Sequence, residues 1–227
     1  MADFVLVHGS YQGGWIWQKV ADRLRAAGHR VYHPSLDGCC ERKGALRPGI
    51  TTESHADEIA QLLFYEDLND TVMVGTSSGG MVVCRAAELM RERVGRIVLV
   101  DALALFNGEK IGDIVTRSTA VAVAGGLTRG PAPENAYPDL GPDIRPWAVA
   151  RYAPHPIGIY EHPVKLDSFW SQPWKASVIW CRRAQNPGEA HQRRAAQRLN
   201  ASWAELDTGH YPMLSMPDEL TRLLLAG

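Results

Sequence analysis

A chain of 227 residues, of which 45% are hydrophobic, can bury the core of one α/β domain and is too short for two comfortable ones. Its formal net charge of −1 gives no electrostatic reason to expect nucleic acid or an anionic membrane as a partner. The four cysteines have neither the spacing of a zinc site nor that of a disulfide framework, so no metal is expected.

Two further features of the sequence indicate where the protein resides. No apolar stretch approaches the roughly 18 residues of a membrane span. Met1–Asp3 lead directly into an apolar strand, which leaves no room for a signal peptide. We therefore expect a cytoplasmic protein, which also suits free thiols.

The first predicted unit is a strand followed by a glycine-rich turn and a helix. Phe4–Val7 is a continuous apolar run typical of a buried parallel strand, and the turn His8–Trp15 follows it. The helix after this turn has an apolar face formed by Val20, Leu24 and Ala27. A dinucleotide-binding interpretation fails, because there is no G-x-G-x-x-G and no acidic residue ends the next strand.

Strands and helices continue to alternate up to Asp101, which ends the fourth strand. Thr51 or Thr52 can cap the helix that follows the second strand, and Ala56 and Leu63 lie on its buried face. The predicted strands of this part are Arg30–His33, Val72–Val74 and Arg96–Val100. The third of the chain's strands passes straight into a helix.

At that junction lies Gly75-Thr76-Ser77-Ser78-Gly79, the G-x-S-x-G pattern of a nucleophile elbow. A strand-to-helix turn this sharp puts its central residue in a strained backbone conformation, and the flanking positions must lack bulk. The spacing therefore favours Ser77 as a nucleophile, standing clear of the sheet at the positive end of the following helix. Ser78 is a rival only if the register shifts by one residue.

Residues 103–175 break the alternation and are predicted to form a helical cap inserted over the sheet. Prolines and aromatic residues crowd this segment, and its many bulky apolar side chains argue against a disordered linker. Short helices are predicted near Ile111–Val121 and His162–Trp170. The α/β core would then comprise residues 1–102 and 176–227.

Regular alternation resumes after the insertion with strands Ser177–Trp180 and Ser202–Leu206. The helix between them, Glu189–Leu199, carries three arginines that we interpret as a solvated face. A closing helix begins near Pro217. The whole pattern predicts a doubly wound, mostly parallel α/β sheet with ligand chemistry at the carboxyl ends of its strands.

Three ordered motifs resemble the α/β-hydrolase fold: the His-Gly-Ser turn after the first strand, the elbow, and Gly209-His210 after the last strand. The stretch Val5–Trp17, which ends in Gly-Gly-Trp-Ile-Trp, resembles more narrowly the plant salicylate methylesterases and hydroxynitrile lyases. Leu206–His210 is similar to small bacterial esterases of the same group. The resemblance covers nearly the whole chain.

This resemblance implies a catalytic role for several residues and no cofactor. Ser77 would be the nucleophile, and His210 the base that takes its proton and returns it to the leaving group. His8 would shape its turn. The backbone N–H groups of Ser10 and Ser78 would form the oxyanion hole, in which one donor is worth about 10²–10³ in rate.

The acid of the site departs from the common pattern of the family. Most members carry an aspartate in the loop after Ser177–Trp180, where this chain has Ala184. We therefore take Asp101 as the residue that orients His210, because it ends a strand on the same edge of the sheet. Glu189 and a Ser77–His210 dyad without an acid remain alternatives.

The predicted function is hydrolysis of a small apolar or aryl ester, with Trp147 and Tyr152 in the substrate pocket. A lyase on the same fold is a rival, although hydroxynitrile lyases place a lysine after the histidine and this chain has Tyr211. Cofactor-independent dioxygenases and non-catalytic ligand receptors of this fold are further alternatives. The acyl and alcohol groups and the oligomeric state are left open.

Overall fold

The computed structural model describes residues 1–115, 121–130 and 135–226. The central sheet has six parallel strands in the order β2-β1-β3-β4-β8-β9, and a second sheet has three strands in the order β5-β6-β7. The strands are β1 (Asp3–Val7), β2 (Arg30–Tyr32), β3 (Thr71–Ser77), β4 (Val94–Ala102), β5 (Val121–Val123), β6 (Leu127–Arg129), β7 (His155–Pro156), β8 (Ala176–Cys181) and β9 (Ser202–Leu206). The predicted parallel sheet is confirmed.

Helices cover both faces of the central sheet, as its continuous apolar strands require. Thr51 is the N-cap of α2, and its N–H donates to Ser54 Oγ at 3.0 Å. The helices are α1 (Gln18–Ala26), α2 (Thr52–Tyr65), α3 (Gly79–Leu89), α4 (Ile111–Ile114), α5 (Arg145–Val149), α6 (Gly158–Glu161), α7 (Glu189–Leu199), α8 (Pro212–Ser215) and α9 (Pro217–Leu225). Short 3₁₀ turns lie at Gly14–Trp17, Cys40–Ala45, Arg91–Arg93 and Phe169–Ser171.

Two hydrophobic clusters lie on opposite faces of this sheet. Successive side chains of a strand alternate between them, so Val5 packs with α2, α3 and α7, whereas Leu6 packs with α1 and α9. The same alternation separates Met73 from Val74 in β3. Burial on both faces holds the strands in register. Because all of their pairings are parallel, their carboxyl ends lie at one edge of the sheet.

The segment 103–175, here called the cap, contains the short helices α4, α5 and α6 and also an antiparallel sheet that was not expected. β5 pairs with β6, and β6 pairs with β7. Gly125 and Gly126 in the turn between β5 and β6 have φ of +80° and +75°, which glycine adopts without strain. Two glycines between short apolar runs are a hairpin signal that the sequence interpretation overlooked.

The prediction of a helix near His162–Trp170 is wrong. Only a 3₁₀ turn forms there, because the carboxylate of Glu88 on α3 accepts the backbone N–H groups that a helix would have used. The N–H of Phe169 donates to Glu88 Oε1 at 2.7 Å, and the N–H of Ser168 donates to the same oxygen. Of the helix predicted near Ile111–Val121, the described residues form one turn, α4 (Ile111–Ile114). Val121 at its far end instead begins the strand β5, and residues 116–120 lie outside the described residues.

Candidate active site

Ser77 ends β3 and has φ of +51°, in the left-handed region that non-glycine residues rarely adopt. Both glycines of the elbow are required by close approach. A Cβ on Gly75 would lie 2.8 Å from the Gly79 carbonyl oxygen, and one on Gly79 would lie 2.5 Å from that of His8. The strand, the strained serine and α3 therefore form the sharp turn that the motif predicts.

The His-Gly turn after β1 packs directly on this serine. A Cβ on Gly9 would lie 2.5 Å from Ser77 Cβ, so only glycine fits there. The buried ring of His8 is a structural support. Its Nε2 accepts the N–H of Leu36 at 3.0 Å, so its Nδ1 carries the proton and donates to Gly9 O at 2.8 Å. Burial lowers the pKa of His8 to about 4, which keeps the ring neutral.

Ser10 and Ser78, the predicted oxyanion residues, are brought together. Ser10 follows the turn after β1, and Ser78 is the N-cap of α3. Their hydroxyl oxygens are 2.8 Å apart and share a hydrogen bond. Ser78 is buried and engaged in this bond, whereas Ser77 is half-buried. That difference in exposure favours Ser77 over Ser78 as the nucleophile.

Asp101 and His210 form a hydrogen-bonded pair. His210 Nδ1 lies 2.5 Å from Asp101 Oδ2, and the aspartate side chain is completely buried. Asp101 Oδ1 also accepts the N–H of Cys181 at 3.4 Å. Because Nδ1 donates to the carboxylate, Nε2 of His210 is left with its lone pair free to accept a proton.

Ser77 and Asp101 are neighbours across the β3–β4 ladder. Ser77 pairs with Ala102, and the N–H of Leu103 donates to Ser77 O at 2.8 Å. Within the described ranges, Ser77 Oγ makes no hydrogen bond to the His210 ring. Such bonds are often long without substrate and tighten when it binds.

Glu189 lies away from this pair. It is exposed at the start of α7 and forms an ion pair with Arg193 at 2.6 Å. The expectation that α7 presents only a solvated arginine face is wrong for Arg194, which makes two hydrogen bonds to Glu109 at 2.7 and 2.8 Å. The half-buried pair of Glu109 and Arg194 ties the helix to the cap.

Residues on the inner face of α7 were missed by sequence reasoning, because polar side chains on a polar helix look solvated. His191 Nε2 accepts the N–H of Ala104 at 3.0 Å, and Gln192 Nε2 donates to Ala102 O at 2.9 Å. Both side chains are buried. They hold the chain that leaves Asp101.

Asp139 of the cap is a second missed residue. Its carboxylate rests on the backbone of the His210 loop, where a Cβ on Gly209 would come within 1.8 Å of Asp139 Oδ2. Partial burial there raises the pKa of Asp139, and the neighbouring His210 ring and N–H oppose that rise. No motif predicts such a contact, because Asp139 and Gly209 are 70 positions apart in the sequence.

The two predicted pocket residues belong to a group of packed aromatic rings between cap and sheet. Trp147 packs edge-on against Trp15 at 5.3 Å, and the guanidinium of Arg151 lies 4.1 Å above its ring. Tyr152 stacks on Tyr11 at 5.3 Å. Tyr11 is the residue after Ser10, whose hydroxyl bonds to Ser78 of the elbow. Tyr152 is therefore connected to the elbow through fewer contacts than Trp147 is.

Comparison with known proteins defines the class. The profile of the Alpha/beta hydrolase family matches residues 4–223. The chain therefore belongs to the α/β-hydrolase family.

Particular relatives sharpen this assignment. A carbendazim hydrolyzing esterase of Nocardioides sp. (strain SG-4G) is 28% identical over 242 residues, covering 100% of this chain and 99% of the relative. Methylesterase 8 of Arabidopsis thaliana is 34% identical over 98 residues, but the match covers only 43% of this chain and 36% of that protein.

The fold itself recurs in a solved structure. An extracellular α/β-hydrolase from a Paenibacillus species, described as sharing homology with tobacco salicylic acid binding protein 2, superposes with a TM-score of 0.85. The match has 20% sequence identity and covers 99% of this chain and 98% of that one. Across the described ranges of the present chain, every helix is too short or too polar to cross a bilayer.

Proposed function

We propose that this protein is a serine esterase that cleaves a small apolar or aryl carboxylic ester through an acyl-enzyme. The observation that carries the proposal is the Asp101–His210 hydrogen bond of 2.5 Å beside a serine held at φ +51°. Nucleophilic catalysis by serine needs an adjacent base, and the base needs a group that orients it.

The reaction has two halves. In the first, Ser77 Oγ attacks the ester carbonyl carbon, and His210 Nε2 takes the serine proton. The oxyanion accepts hydrogen bonds from the N–H groups of Ser10 and Ser78. The bond to the alkoxy group then breaks, and the departing alcohol takes the proton from His210, which leaves an acyl group on Ser77.

In the second half, water attacks the acyl carbon and gives a proton to His210 Nε2. The carboxylic acid leaves, and the proton returns to Ser77 Oγ. Asp101 stabilises the imidazolium that forms in each half and holds the tautomer with the proton on Nδ1.

The substrate class is supported by two observations. Aromatic rings of the cap and of the turn after β1 lie together above the carboxyl edge of the sheet, and stacked rings favour an apolar or aryl group. The relative from Nocardioides, which spans the whole chain, is named as an esterase.

Covalent labelling tests the proposal. A fluorophosphonate should label the protein once, at Ser77, and hydrolysis of p-nitrophenyl esters should fall by up to about 10⁶-fold in Ser77→Ala, as for the nucleophile of a serine protease. Ser78→Ala is the matched control and should still be labelled at Ser77. Labelling at Ser78, or a folded wild-type protein that neither reacts nor hydrolyses any ester, would contradict it.

A further inference from the structure

The two oxyanion residues bear side chains that bond to each other across the site. Ser10 Oγ and Ser78 Oγ lie 2.8 Å apart, although they are 68 positions apart in the chain. Ser78 is only 4% exposed, and Ser10 is half-buried. A backbone donor needs no particular side chain, so a hydroxyl on each of these two residues calls for an explanation.

The sheet alone does not fix the distance between the two donors. β1 and β3 are paired with each other up to Val7 and Gly75, and beyond that point β3 continues against β4 as far as Ser77. Gly9 packs on Ser77 and so fixes the start of the turn. Ser10 lies one residue further out, where among the described residues its hydroxyl bond to Ser78 is the side-chain contact that reaches α3.

The geometry of an oxyanion hole is demanding. Two N–H groups must both come within about 2.7–3.1 Å of one oxygen atom, and a displacement of about 1 Å can cost a hundredfold in rate. Among the residues that the structure describes, neither the N–H of Ser10 nor that of Ser78 is paired with a protein acceptor. Both are therefore free to donate to a ligand.

We propose that Ser10 and Ser78 are positioning residues whose hydroxyl bond holds the two oxyanion donors at a fixed separation. This inference rests on the proposed function, because it concerns how the oxyanion of the ester reaction is bound. The bond joins the turn after β1 to the N-terminus of α3 and so ties together the two segments that carry the donors.

The bridge also reaches the cap. Burial raises the pKa of Tyr160 on α6 well above its ordinary value, and contact with the Ser10 side chain opposes that rise. Ser10 thus lies between Ser78 and a tyrosine of the cap.

The chain offers a matched control for the hydroxyl pair. Ser202 Oγ donates to Ser177 Oγ at 2.8 Å, and both residues are opposite each other in the β8–β9 ladder. Ser202 is the first residue of β9 and Ser177 the second of β8, so the pair lies at the amino ends of the strands, whereas Ser77 lies at the carboxyl end of β3. It reproduces the same bond without any contact to the proposed site.

A double-mutant cycle in each pair tests the inference. With p-nitrophenyl butyrate, Ser10→Ala and Ser78→Ala should each lower kcat about tenfold with KM within about twofold, and the double variant should be no slower than about the worse single one, because both remove the same bond. Ser10→Thr, which keeps the hydroxyl, should recover most of the rate. Ser177→Ala, Ser202→Ala and their double variant should match the wild-type rate.

Affinity for a transition-state analogue separates positioning from a merely structural role. A phenylalkyl trifluoromethyl ketone adds to the serine and places its oxyanion in the hole, so its inhibition constant should rise by the same factor as kcat/KM falls in Ser10→Ala and Ser78→Ala. A bond that only stabilises the fold would lower the melting temperature and leave this constant unchanged. That result would overturn the inference.

Two other outcomes would also overturn it, without touching the proposed function. In the first, Ser10→Ala and Ser78→Ala each keep the wild-type kcat while Ser77→Ala is inactive. In the second, their effects add fully in the double variant, which would mean that they act independently. Failure of the esterase proposal looks different, because then the wild-type protein itself gives no hydrolysis and no label at Ser77.

Discussion

The carboxyl edge of the central sheet and the cap hold their residues by different means. At the edge, Ser77 and Asp101 lie in neighbouring strands, and backbone hydrogen bonds such as that from Leu103 to Ser77 fix their positions. In the cap, contacts between aromatic rings fix the positions of the side chains. Tyr152 stacks on Tyr11, and Tyr137 packs edge-on against Tyr211 at 4.6 Å.

This difference indicates a division of labour. Rigid strands hold reacting groups within the narrow tolerance that catalysis demands. Aromatic packing is non-directional by comparison, so a cap of this kind can change its lining without disturbing the elbow. We expect changes at the edge to act on kcat, and changes in the cap to act on KM or on stability.

After the nucleophile Ser77 itself, the largest effect is expected at Asp101. Asp101→Asn keeps the shape of the side chain but favours the wrong tautomer of His210, which in serine proteases costs about 10⁴ in turnover. We expect kcat to fall by at least about a hundredfold with the fold intact by circular dichroism.

Glu189→Gln is the matched control for this prediction. Glu189 is exposed and paired with Arg193, so its rate should stay within a few-fold of wild type. If instead Glu189→Gln lost activity and Asp101→Asn did not, Glu189 would be the orienting acid. Near-normal rates in both variants would mean that Ser77 and His210 work as a dyad.

The edge could be predicted from the sequence because its physics is local. Glycines around Ser77 report a strained turn, and an apolar run ending in Asp101 reports a strand that delivers a carboxylate. The bounds of α7 and β9 agree with those predicted. In each case the signal lies within a few residues of the structure that it specifies.

The cap could be predicted only in part because its contacts join distant segments. Nothing near Ser168 announces that Glu88, 80 positions earlier, accepts its N–H. Asp139 and the His210 loop are a similar case. The hairpin around Gly125 and Gly126 is different, because its glycines are a local signal that a search for helices passes over.

The next largest effect concerns the seam between edge and cap, where His8, His55 and His155 are buried. His55 Nε2 lies 2.9 Å from Asp37 O, and its ring lies 6.1 Å from that of His155. Burial lowers the pKa of His8 and His55 to about 4 and that of His155 well below its ordinary value. Lowering the pH should therefore destabilise the packing at this seam.

The direction follows from proton uptake. The unfolded chain binds protons at His8 and His55 near pH 6.5, whereas the folded chain, in which burial lowers the pKa of both, does so only near pH 4. Their contribution is complete above pH 6.5 and is lost as the pH falls towards 4, by up to about 3 kcal/mol each. Buried His191, with its pKa lowered to about 4, acts in the same direction.

Glu58 works against the histidines. Burial raises its pKa to about 7, so its protonation favours the folded state as the pH falls from 7. Burial also raises the pKa of Asp139, so two carboxyls oppose the four histidines, and we expect a net loss of a few kcal/mol between pH 7 and pH 4.5. Urea unfolding at the two pH values measures this loss of stability. Hydrogen exchange at the lower pH should show that the amides of the cap lose protection before those of β3 and β4.

Replacing a seam histidine tests the cause of this acid sensitivity. His155→Gln should weaken the dependence of stability on pH, whereas His162→Gln, on an exposed residue of the same cap, should leave it unchanged. Stability that does not fall on acidification, or that falls equally in all variants, would assign the effect to other groups.

A smaller effect is expected from the two aromatic residues of the cap. Tyr152 contacts Tyr11, next to the oxyanion residue Ser10, so Tyr152→Ala should raise KM for aryl esters about tenfold, the value of one ring contact. Trp147 packs on Trp15 and Arg151 instead, and Trp147→Ala should lower the melting temperature more than it changes KM.

Acetyl and benzoyl esters of p-nitrophenol compared in parallel provide the measurement. The rise in KM caused by Tyr152→Ala should be larger for the benzoyl ester than for the acetyl ester. Equal changes for both esters, or a larger KM change in Trp147→Ala, would reverse the assignment of these residues.

The smallest effect is expected where the cap touches the edge, at Asp139. Its carboxylate rests on Gly209 and interacts with the His210 ring. Because the imidazolium forms only during the reaction, a negative charge beside it favours the transition state over the ground state. The residue as a whole is exposed, although its carboxylate is partly buried against Gly209. Exposed charge pairs contribute about 0.2–1 kcal/mol, so Asp139→Asn should lower kcat by only about two- to fivefold. Because salt screens such a pair, the difference in kcat between wild type and variant should shrink at high ionic strength.

Asp143→Asn, which changes an exposed carboxylate four positions on in the same cap, should show neither the loss of kcat nor the salt dependence. A loss in Asp139→Asn that is the same in low and high salt would mean that the carboxylate acts by shaping the loop at Gly209 rather than through its charge.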